Sequence, residues 1–122
     1  MTVGRYLVTG GAGFIGSHIA ETLVRRGDRV RVLDDFSAGL AENLEPLGVG
    51  AVDSGAPVEL VRGTTSSTAA CRIACEGIDA VFHEAALVSV PRSFEEPLLS
   101  YENNVMGTLR LLEAARKSGV RT

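Results

Sequence analysis

The hydrophobic pattern at the start of the chain predicts a strand–helix–strand unit. Arg5–Thr9 is a short run of apolar and β-branched residues that stops at two glycines, which is typical of a buried parallel strand. From Phe14 onwards, apolar residues recur at helical spacing until Gly27, which predicts an amphipathic helix. Residues 29–33 alternate in polarity and end at two aspartates, which predicts a second strand.

The remaining pattern predicts further strands and helices after an irregular stretch. Glycines and prolines interrupt residues 36–57, so we expect a loop there with one helical turn at residues 40–44. The later predicted elements are a strand at 58–61, a helix at 67–75, a strand at 80–83 and a helix at 98–117 that Gly119 ends. This alternation predicts an α/β fold in one domain, an open, mostly parallel sheet of about four strands with helices on both faces.

Length, charge and composition limit the partners and the location. The 122 residues suffice for one domain, and the net charge of -3 supplies no basic field for nucleic acid. The apolar runs are far shorter than the roughly 20 residues of a membrane span, and the N-terminus lacks the pattern of a signal peptide. We therefore expect a cytoplasmic protein that binds neither nucleic acid nor membrane. Cys71 and Cys75 have the wrong spacing for a redox or zinc motif, so we expect buried thiols and no metal site.

A glycine-rich loop between the first strand and the first helix is the clearest chemical signal. Residues 11–16 (GAGFIG) satisfy G-x-G-x-x-G, and Gly10, Gly13 and Gly16 also fit a looser glycine spacing on the same loop. Glycine allows a tight turn and a close backbone approach to a pyrophosphate, which the N-terminus of the next helix attracts. Asp34 lies 18 positions after Gly16, where a carboxylate accepts hydrogen bonds from an adenosine ribose.

Two details indicate which nucleotide this loop binds. Ser17 follows Gly16 where a phosphate-hydrolysing P-loop needs a lysine, so nucleotide hydrolysis is disfavoured. The carboxylate of Asp34 would repel a 2′-phosphate, and no Arg or Lys occurs in residues 34–57 to compensate, which favours NAD over NADP. The alternative is that Asp34 is only a solvated turn residue, and this alternative has more weight for Asp35.

Four short segments, in chain order, carry a resemblance to a known family. They are residues 9–18 (TGGAGFIGSH), 33–37 (LDDFS), 83–86 (HEAA) and 103–109 (NNVMGTL). These segments resemble the NAD-dependent epimerase/dehydratase family, the extended short-chain dehydrogenases, and are most like nucleotide-sugar epimerases of the UDP-glucose 4-epimerase type. The resemblance implies the N-terminal portion of a Rossmann-type doubly wound sheet with NAD as cofactor. The residues that would contact NAD are Gly10, Gly13, Phe14, Ile15, Gly16, Asp34, Asp35, Thr64, Ala85, Ala86 and Asn104.

For three of these residues a structural role remains an alternative. Ala85 and Ala86 have small side chains that would also permit close helix packing, and Asn104 could instead bridge backbone groups of neighbouring strands. We expect structural or packing roles for the two histidines, His18 and His83, because no carboxylate or nucleophile occurs at a spacing that defines a catalytic triad.

The sequence departs from the family at three points. Thr64 stands where the family usually has an aspartate that accepts from the adenine amino group, and a threonine lacks its charge. Glu84 stands where an aliphatic or amide residue is more common. The Tyr-x-x-x-Lys pair of the family is absent, because neither Tyr6 nor Tyr101 has a lysine four residues later and the only lysine is Lys117. We therefore assign no catalytic residue.

These features leave three functions open. The first is the NAD-binding portion of a nucleotide-sugar epimerase or dehydratase, truncated before the fifth strand and the catalytic region. Such a chain would be catalytically incompetent alone and would meet a nucleotide sugar only as part of a full-length parent. The second is a stand-alone NAD-binding or sensing module, and the third is a partner-binding protein on a degenerate Rossmann scaffold. The predicted helix at 98–117 matches one that packs in dimers of the family, which leaves a homodimer open.

Overall fold

Five parallel strands form one sheet within the residues that the structure, a computed structural model, describes. These are residues 3–87 and 89–122, with Val90 described by its backbone alone. The strands are β1 (Arg5–Thr9), β2 (Arg29–Asp34), β3 (Val49–Gly50), β4 (Val58–Arg62) and β5 (Ala80–His83). They pair in the order β3-β4-β2-β1-β5, and every pair is parallel.

Helices follow most of the strands. They are α1 (Phe14–Arg25), α2 (Thr68–Cys75), α3 (Val90–Glu95), α4 (Pro97–Tyr101) and α5 (Gly107–Ser118), and a π-helical turn at Glu102–Met106 joins the last two. None of the helices in the described ranges is long and apolar enough to cross a membrane.

Each face of the sheet has its own apolar core. On β1, Leu7 belongs to one buried cluster and Val8 to the other, and on β2 Leu33 and Val32 divide in the same way. Helix α1 covers the face of Val8 and Val32, whereas α2 and α5 cover the face of Leu7 and Leu33. This arrangement confirms the predicted Rossmann-type α/β fold, with helices on both faces of a parallel sheet.

The strand order identifies the edge of the sheet where a ligand is expected. From the interior strand β1 the chain runs through β2 to the edge strand β3, turns back to β4 between β3 and β2, and then crosses to β5 on the other side of β1. The direction of winding therefore reverses between β1 and β5. In open α/β sheets, ligands bind outside the carboxyl ends of the strands at such a switch point.

Two segments differ from the sequence-based expectations. The predicted loop contains the edge strand β3, so the sheet has five strands in the described residues instead of about four; two residues are too few for a hydrophobic pattern to reveal. The helical turn expected at residues 40–44 is a 3₁₀ turn at Ala41–Asn43, and a second 3₁₀ turn, which was not expected, follows at Glu45–Leu47. The predicted helix at 98–117 begins one residue earlier, at Pro97, and is interrupted by the π-helical turn.

The two cysteines are buried in the core, as expected. Cys71 and Cys75 both lie on the inner face of α2 with free thiols. Burial, together with the neighbouring Cys71, raises the pKa of Cys75 to about 11 against a smaller opposite effect of Arg31. The Cys75 thiol is therefore protonated at neutral pH and acts as a small apolar side chain.

A buried arginine links the sheet to the end of α2. Arg31 of β2 is 4% exposed, and its Nη2 lies 3.0 Å from Oε1 of Glu59 on β4. Its Nη1 donates to the carbonyl oxygens of Ile73 (3.0 Å), Ala74 (3.3 Å) and Glu76 (2.7 Å). Carbonyls in the last turn of a helix have no partner within the helix and carry partial negative charge. The guanidinium therefore caps α2 and pairs with Glu59 at the same time.

We predict that Arg31→Met lowers the free energy of unfolding by about 3 kcal/mol, because it leaves the Glu59 carboxylate and the helix carbonyls without their donor. Urea denaturation followed by circular dichroism measures this change. Arg116→Met is the control, since Arg116 pairs with Glu113 on the exposed side of α5 and such pairs contribute little. Similar destabilisation of the two variants would contradict the capping role of Arg31.

Candidate functional site

A cleft opens at the carboxyl ends of β1, β2, β4 and β5. Its volume is about 500 Å³, which is within the usual range for small-molecule sites. It lies where the winding of the sheet reverses, as the topology predicts. Ten of the eleven residues predicted to contact the cofactor line it: Gly10, Gly13, Phe14, Ile15, Gly16, Asp34, Asp35, Thr64, Ala85 and Ala86.

The glycine loop forms the base of the cleft through very close backbone contacts. A Cβ atom on Gly16 would lie 2.2 Å from the carbonyl oxygen of Gly10, so only glycine lets α1 begin this close to the end of β1. Gly10 has a φ of +65° and a Cβ there would lie 2.8 Å from the amide nitrogen of Ala85. Its own N–H donates to the carbonyl of Leu33 at 2.8 Å. The loop is thus fixed between the ends of β2 and β5.

The start of α1 presents amide groups and two apolar side chains to the cleft. Gly13 is the N-cap residue and provides no side-chain acceptor, so the first amides of the helix can serve an anion. Phe14 and Ile15 are 79% and 60% exposed. The Nδ1 atom of His18 lies 2.6 Å from the carbonyl oxygen of Phe14, and the two rings are 4.7 Å apart. His18 therefore supports the first turn of the helix.

Asp34 connects the end of β2 to the glycine loop. Its carboxylate is buried; Oδ2 accepts from the N–H of Ala12 at 2.9 Å and Oδ1 accepts from the N–H of Phe36 at 2.8 Å. Each oxygen can accept more than one hydrogen bond, so the carboxylate can also receive bonds from a ligand. This burial does not fit the alternative of a solvated turn residue. Asp35, by contrast, is exposed and accepts from the N–H and hydroxyl of Ser37.

The loop after β5, residues 84–87, forms the wall of the cleft opposite α1 and is held by hydrogen bonds at two points. The N–H of Ala85 donates to Oγ1 of Thr9 at 3.1 Å. Asn104 accepts from the N–H of Leu87 at 2.6 Å and donates to its carbonyl at 2.9 Å. Asn104 does not line the cleft, whereas its neighbour Asn103 does. The amide of Asn104 therefore bridges to the backbone of the wall, close to the structural alternative left open for this residue.

The other lining residues are not among the predicted contacts, although Leu33, Ser37 and Asn103 belong to segments that resemble the family. They are Leu33, Ser37, Ala38, Gly39, Gly63, Thr65, Leu87, Arg92, Leu99 and Asn103, together with Glu84, which the sequence marks only as a departure from the family. Gly39 packs closely on the glycine loop, because a Cβ there would lie 2.8 Å from Cβ of Ala12. Its position shortly after the two aspartates is the one sequence signal for this contact. Leu99 and Asn103 come from helices remote in sequence, and only the tertiary structure brings them to the cleft.

The charges around the cleft are mostly negative. Arg92 is the only basic residue among the described lining residues, and its Nε donates to Glu96 at 2.8 Å. Arg62, at the end of β4, lies outside the lining with its guanidinium 4.4 Å from the centre of the Phe36 ring. Across residues 3–87 and 89–122 there is no group of three or more His, Cys, Asp or Glu side chains that could hold a metal ion.

Comparison with known proteins identifies relatives that match nearly the whole of this chain. The sequence model of the NAD dependent epimerase/dehydratase family matches residues 6–122. A UDP-glucose 4-epimerase of Mycolicibacterium smegmatis is 41% identical over 118 residues, which are 96% of this chain and 36% of the relative. The crystal structure of a Thermus thermophilus UDP-glucose 4-epimerase in complex with NAD is similar with a TM-score of 0.80 and 43% identity, over 96% of this chain and 35% of that one.

A dehydratase has the same local fold. A dTDP-glucose 4,6-dehydratase of Streptomyces venezuelae, crystallised with NAD, is similar with a TM-score of 0.81 and 38% identity, over 95% of this chain and 37% of that one. The chain therefore spans about a third of the length of each of these three relatives.

We predict that Asp34→Asn lowers the free energy of unfolding by about 1–2 kcal/mol without any ligand, because the new NH₂ group would face one of the two backbone N–H donors. Urea denaturation measures this loss. Asp35→Asn is the matched control: both bonds from Ser37 reach a single oxygen of Asp35, which an amide oxygen can replace. If both variants are as stable as the parent chain, Asp34 does not fix the glycine loop.

Proposed function

Because the chain belongs to the NAD dependent epimerase/dehydratase family, we propose that residues 1–122 form the NAD-binding part of a nucleotide-sugar epimerase or dehydratase. One observation carries the proposal: the start of α1, the carboxylate of Asp34 and the loop after β5 face a single cleft at the switch point of the sheet. The pyrophosphate would lie at the start of α1, the adenosine ribose at Asp34 and the rest of the dinucleotide along Ala85 and Ala86.

The cleft fits a dinucleotide in shape and in chemistry. The bare backbone of Gly13 and Gly16 lets phosphate oxygens approach the first amides of α1, and the exposed side chains of Phe14 and Ile15 offer apolar contact beside them. Thr64 is the weaker point of the fit. Its Oγ1 already accepts from the N–H of Ser66 at 3.2 Å, so its hydroxyl has less capacity left for an adenine amino group.

The charges near Asp34 support NAD rather than NADP. A 2′-phosphate would meet the Asp34 carboxylate, which is held in place by Ala12 and Phe36. Arg62 lies opposite Asp34 in the register of β2 and β4. Its guanidinium stacks on the Phe36 ring, however, and it does not line the cleft. A 2′-phosphate would therefore meet a carboxylate before any free cation.

The residues of this chain bind and orient the cofactor and do not move protons. Bound NAD supplies a carbon that accepts and returns a hydride. With no Tyr-x-x-x-Lys pair in the sequence, we assign no acid or base to this chain and place the recognition of a UDP- or dTDP-sugar in a full-length parent.

Exposed apolar side chains favour this proposal over a stand-alone NAD-binding module. Leu98, Tyr101, Val105, Leu109 and Leu112 are each at least half exposed along α4, the π-helical turn and α5. Such a run is unusual on an independent domain and suits a surface that another part of a larger protein, or a second copy, covers. The backbone after α5 also lies beside the start of β5: the N–H of Arg121 donates to the carbonyl oxygen of Asp79, the residue before β5, at 3.1 Å.

We expect calorimetric titration to show saturable binding of NAD to the 122-residue chain and binding of NADP weaker by roughly tenfold or more. Gly16→Ala should remove NAD binding, because its Cβ would displace the start of α1 from Gly10. Gly119→Ala is the control for a general loss of stability: it strains a left-handed residue at the end of α5, outside the cleft lining.

If Gly16→Ala does not fold, Gly13→Ala provides a milder test, since its Cβ would lie 3.2 Å from the Gly10 carbonyl oxygen. Absence of NAD binding to the folded parent chain would refute the proposal and favour the partner-binding alternative. Equal affinities for NAD and NADP would refute only the role given to Asp34.

We also expect no epimerisation when the chain is incubated with UDP-glucose and NAD, because the sequence lacks the Tyr-x-x-x-Lys pair that the family's chemistry requires. Analysis of the sugar nucleotide by chromatography measures this. Formation of UDP-galactose at a rate comparable to that of a full-length epimerase would show that another residue of this chain acts as the acid and base.

A further inference from the structure

The side chain of His83 lies between the two points that hold the wall of the cleft. On one side its Nδ1 is 2.6 Å from Oγ1 of Thr9, and that same oxygen accepts from the N–H of Ala85. On the other side its Nε2 is 2.9 Å from Oγ1 of Thr108, whose hydroxyl donates to the carbonyl of Asn104 at 2.8 Å.

The hydrogen bonds of His83 lead back, on both sides, to the loop after β5. The side chain of Asn104 bonds to both backbone groups of Leu87, two residues after Ala85. Thr9, His83, Thr108 and Asn104 therefore join the two held positions of the wall in one hydrogen-bonded ring. The ring connects β1, β5 and the start of α5, which are separated in the sequence.

The directions of these bonds indicate which ring nitrogen carries the proton when His83 is neutral. Since the Thr108 hydroxyl donates to Asn104, its oxygen must accept from His83, which places a proton on Nε2. When the ring is neutral, Nδ1 therefore has no proton and accepts from the Thr9 hydroxyl, whose oxygen is free to accept from Ala85. The neutral tautomer with a proton on Nε2 satisfies every donor in the ring.

Resting on the proposed function, we propose that neutral His83 is a positioning residue that holds Ala85 and Leu87 against the glycine loop so that the cleft accepts a dinucleotide, and that its protonation loosens this wall. A proton on Nδ1 would direct a second donor at the Thr9 oxygen. The Thr9 hydroxyl would then lose its acceptor, and the bond to Ala85 would weaken. Because the amide of Ala85 lies so close to Gly10, a shift of the wall also changes the loop where the pyrophosphate would lie.

The surroundings of His83 favour the neutral form. The groups that face it from β1 and α5 are the uncharged hydroxyls of Thr9 and Thr108. Burial lowers the pKa of His83 below its ordinary value of 6.5, and the neighbouring Glu84 opposes this with a smaller effect. The competent form therefore predominates at neutral pH, and its fraction declines as the pH falls through the lowered pKa.

The first test measures NAD affinity between about pH 7.5 and about pH 5 for the parent chain and for His83→Gln. We expect the parent to lose affinity on acidification. His83→Gln keeps a donor for Thr108 but lacks the Nδ1 acceptor, so we expect roughly tenfold weaker binding at neutral pH and a smaller pH dependence. His18 is present in both proteins, so the difference between their pH profiles isolates His83. Binding of adenosine, which reaches neither the pyrophosphate position nor the loop after β5, should change little.

The second test alters the ring without altering the histidine. Thr108→Val removes the acceptor of Nε2, and we expect weaker NAD binding with adenosine binding retained. Thr22→Val is the matched control, because the Thr22 hydroxyl also donates to a carbonyl four residues earlier, at 3.0 Å, on an exposed part of α1. Circular dichroism checks that the variants fold.

A direct readout of the tautomer tests the ring even without NAD. Long-range ¹H–¹⁵N spectra should show the proton of His83 on Nε2, and amide exchange at Ala85 and Leu87 should accelerate on acidification in the parent more than in His83→Gln. A proton on Nδ1 at neutral pH, or identical pH profiles in the two proteins, would overturn the inference. Failure of the parent to bind NAD would overturn the proposed function, while the tautomer and the amide exchange would still decide the role of His83.

Discussion

The contact between the start of α1 and the backbone of the glycine loop is the constraint on which the site depends. A side chain on Gly16 would overlap the Gly10 carbonyl oxygen, and one on Gly10 would overlap the amide of Ala85. The same few atoms therefore fix how close the first helix, the end of β1 and the wall after β5 lie to one another. A side chain at either glycine would force these elements apart, so the two glycines determine how closely they pack.

Polar groups satisfied within the protein shape the cleft while retaining capacity for a ligand. Asp34 accepts from Ala12 and Phe36, and this fixes the loop in the ligand-free protein. A carboxylate that is already oriented needs little reorganisation to accept a hydrogen bond from a ligand, so such a bond costs less ordering entropy. In contrast, the amides at the start of α1 have no side-chain cap, so they are available to an acceptor from outside the helix.

The sequence predicts those parts of the structure that local chemistry determines. Hydrophobic periodicity indicated β1, α1 and β5, and the glycine spacing identified the loop that lines the cleft. Periodicity failed for Arg31, which the alternation of residues 29–33 would place on a polar face, because its guanidinium is buried by capping a helix more than forty residues away. The role of Asn104 in holding Leu87, like the contribution of Asn103 to the cleft, depends on a tertiary contact that no local pattern encodes.

The π-helical turn explains how a helix behind the sheet reaches the wall of the cleft. Its widened ladder has the N–H of Gly107 donating to the carbonyl of Glu102, which brings Gly107 so close to Thr65 that a Cβ would lie 2.4 Å from the Thr65 hydroxyl. Thr65, three residues after the end of β4, is buried and lines the cleft. With Gly107 seated there, Asn104 lies one turn earlier beside Leu87, and Thr108 follows beside His83. π-helical turns are rare and concentrate at functional sites. Here the turn orients the helix so that Gly107 packs on Thr65 after β4 while Thr108 and Asn104 bond to His83 and Leu87 at the end of β5.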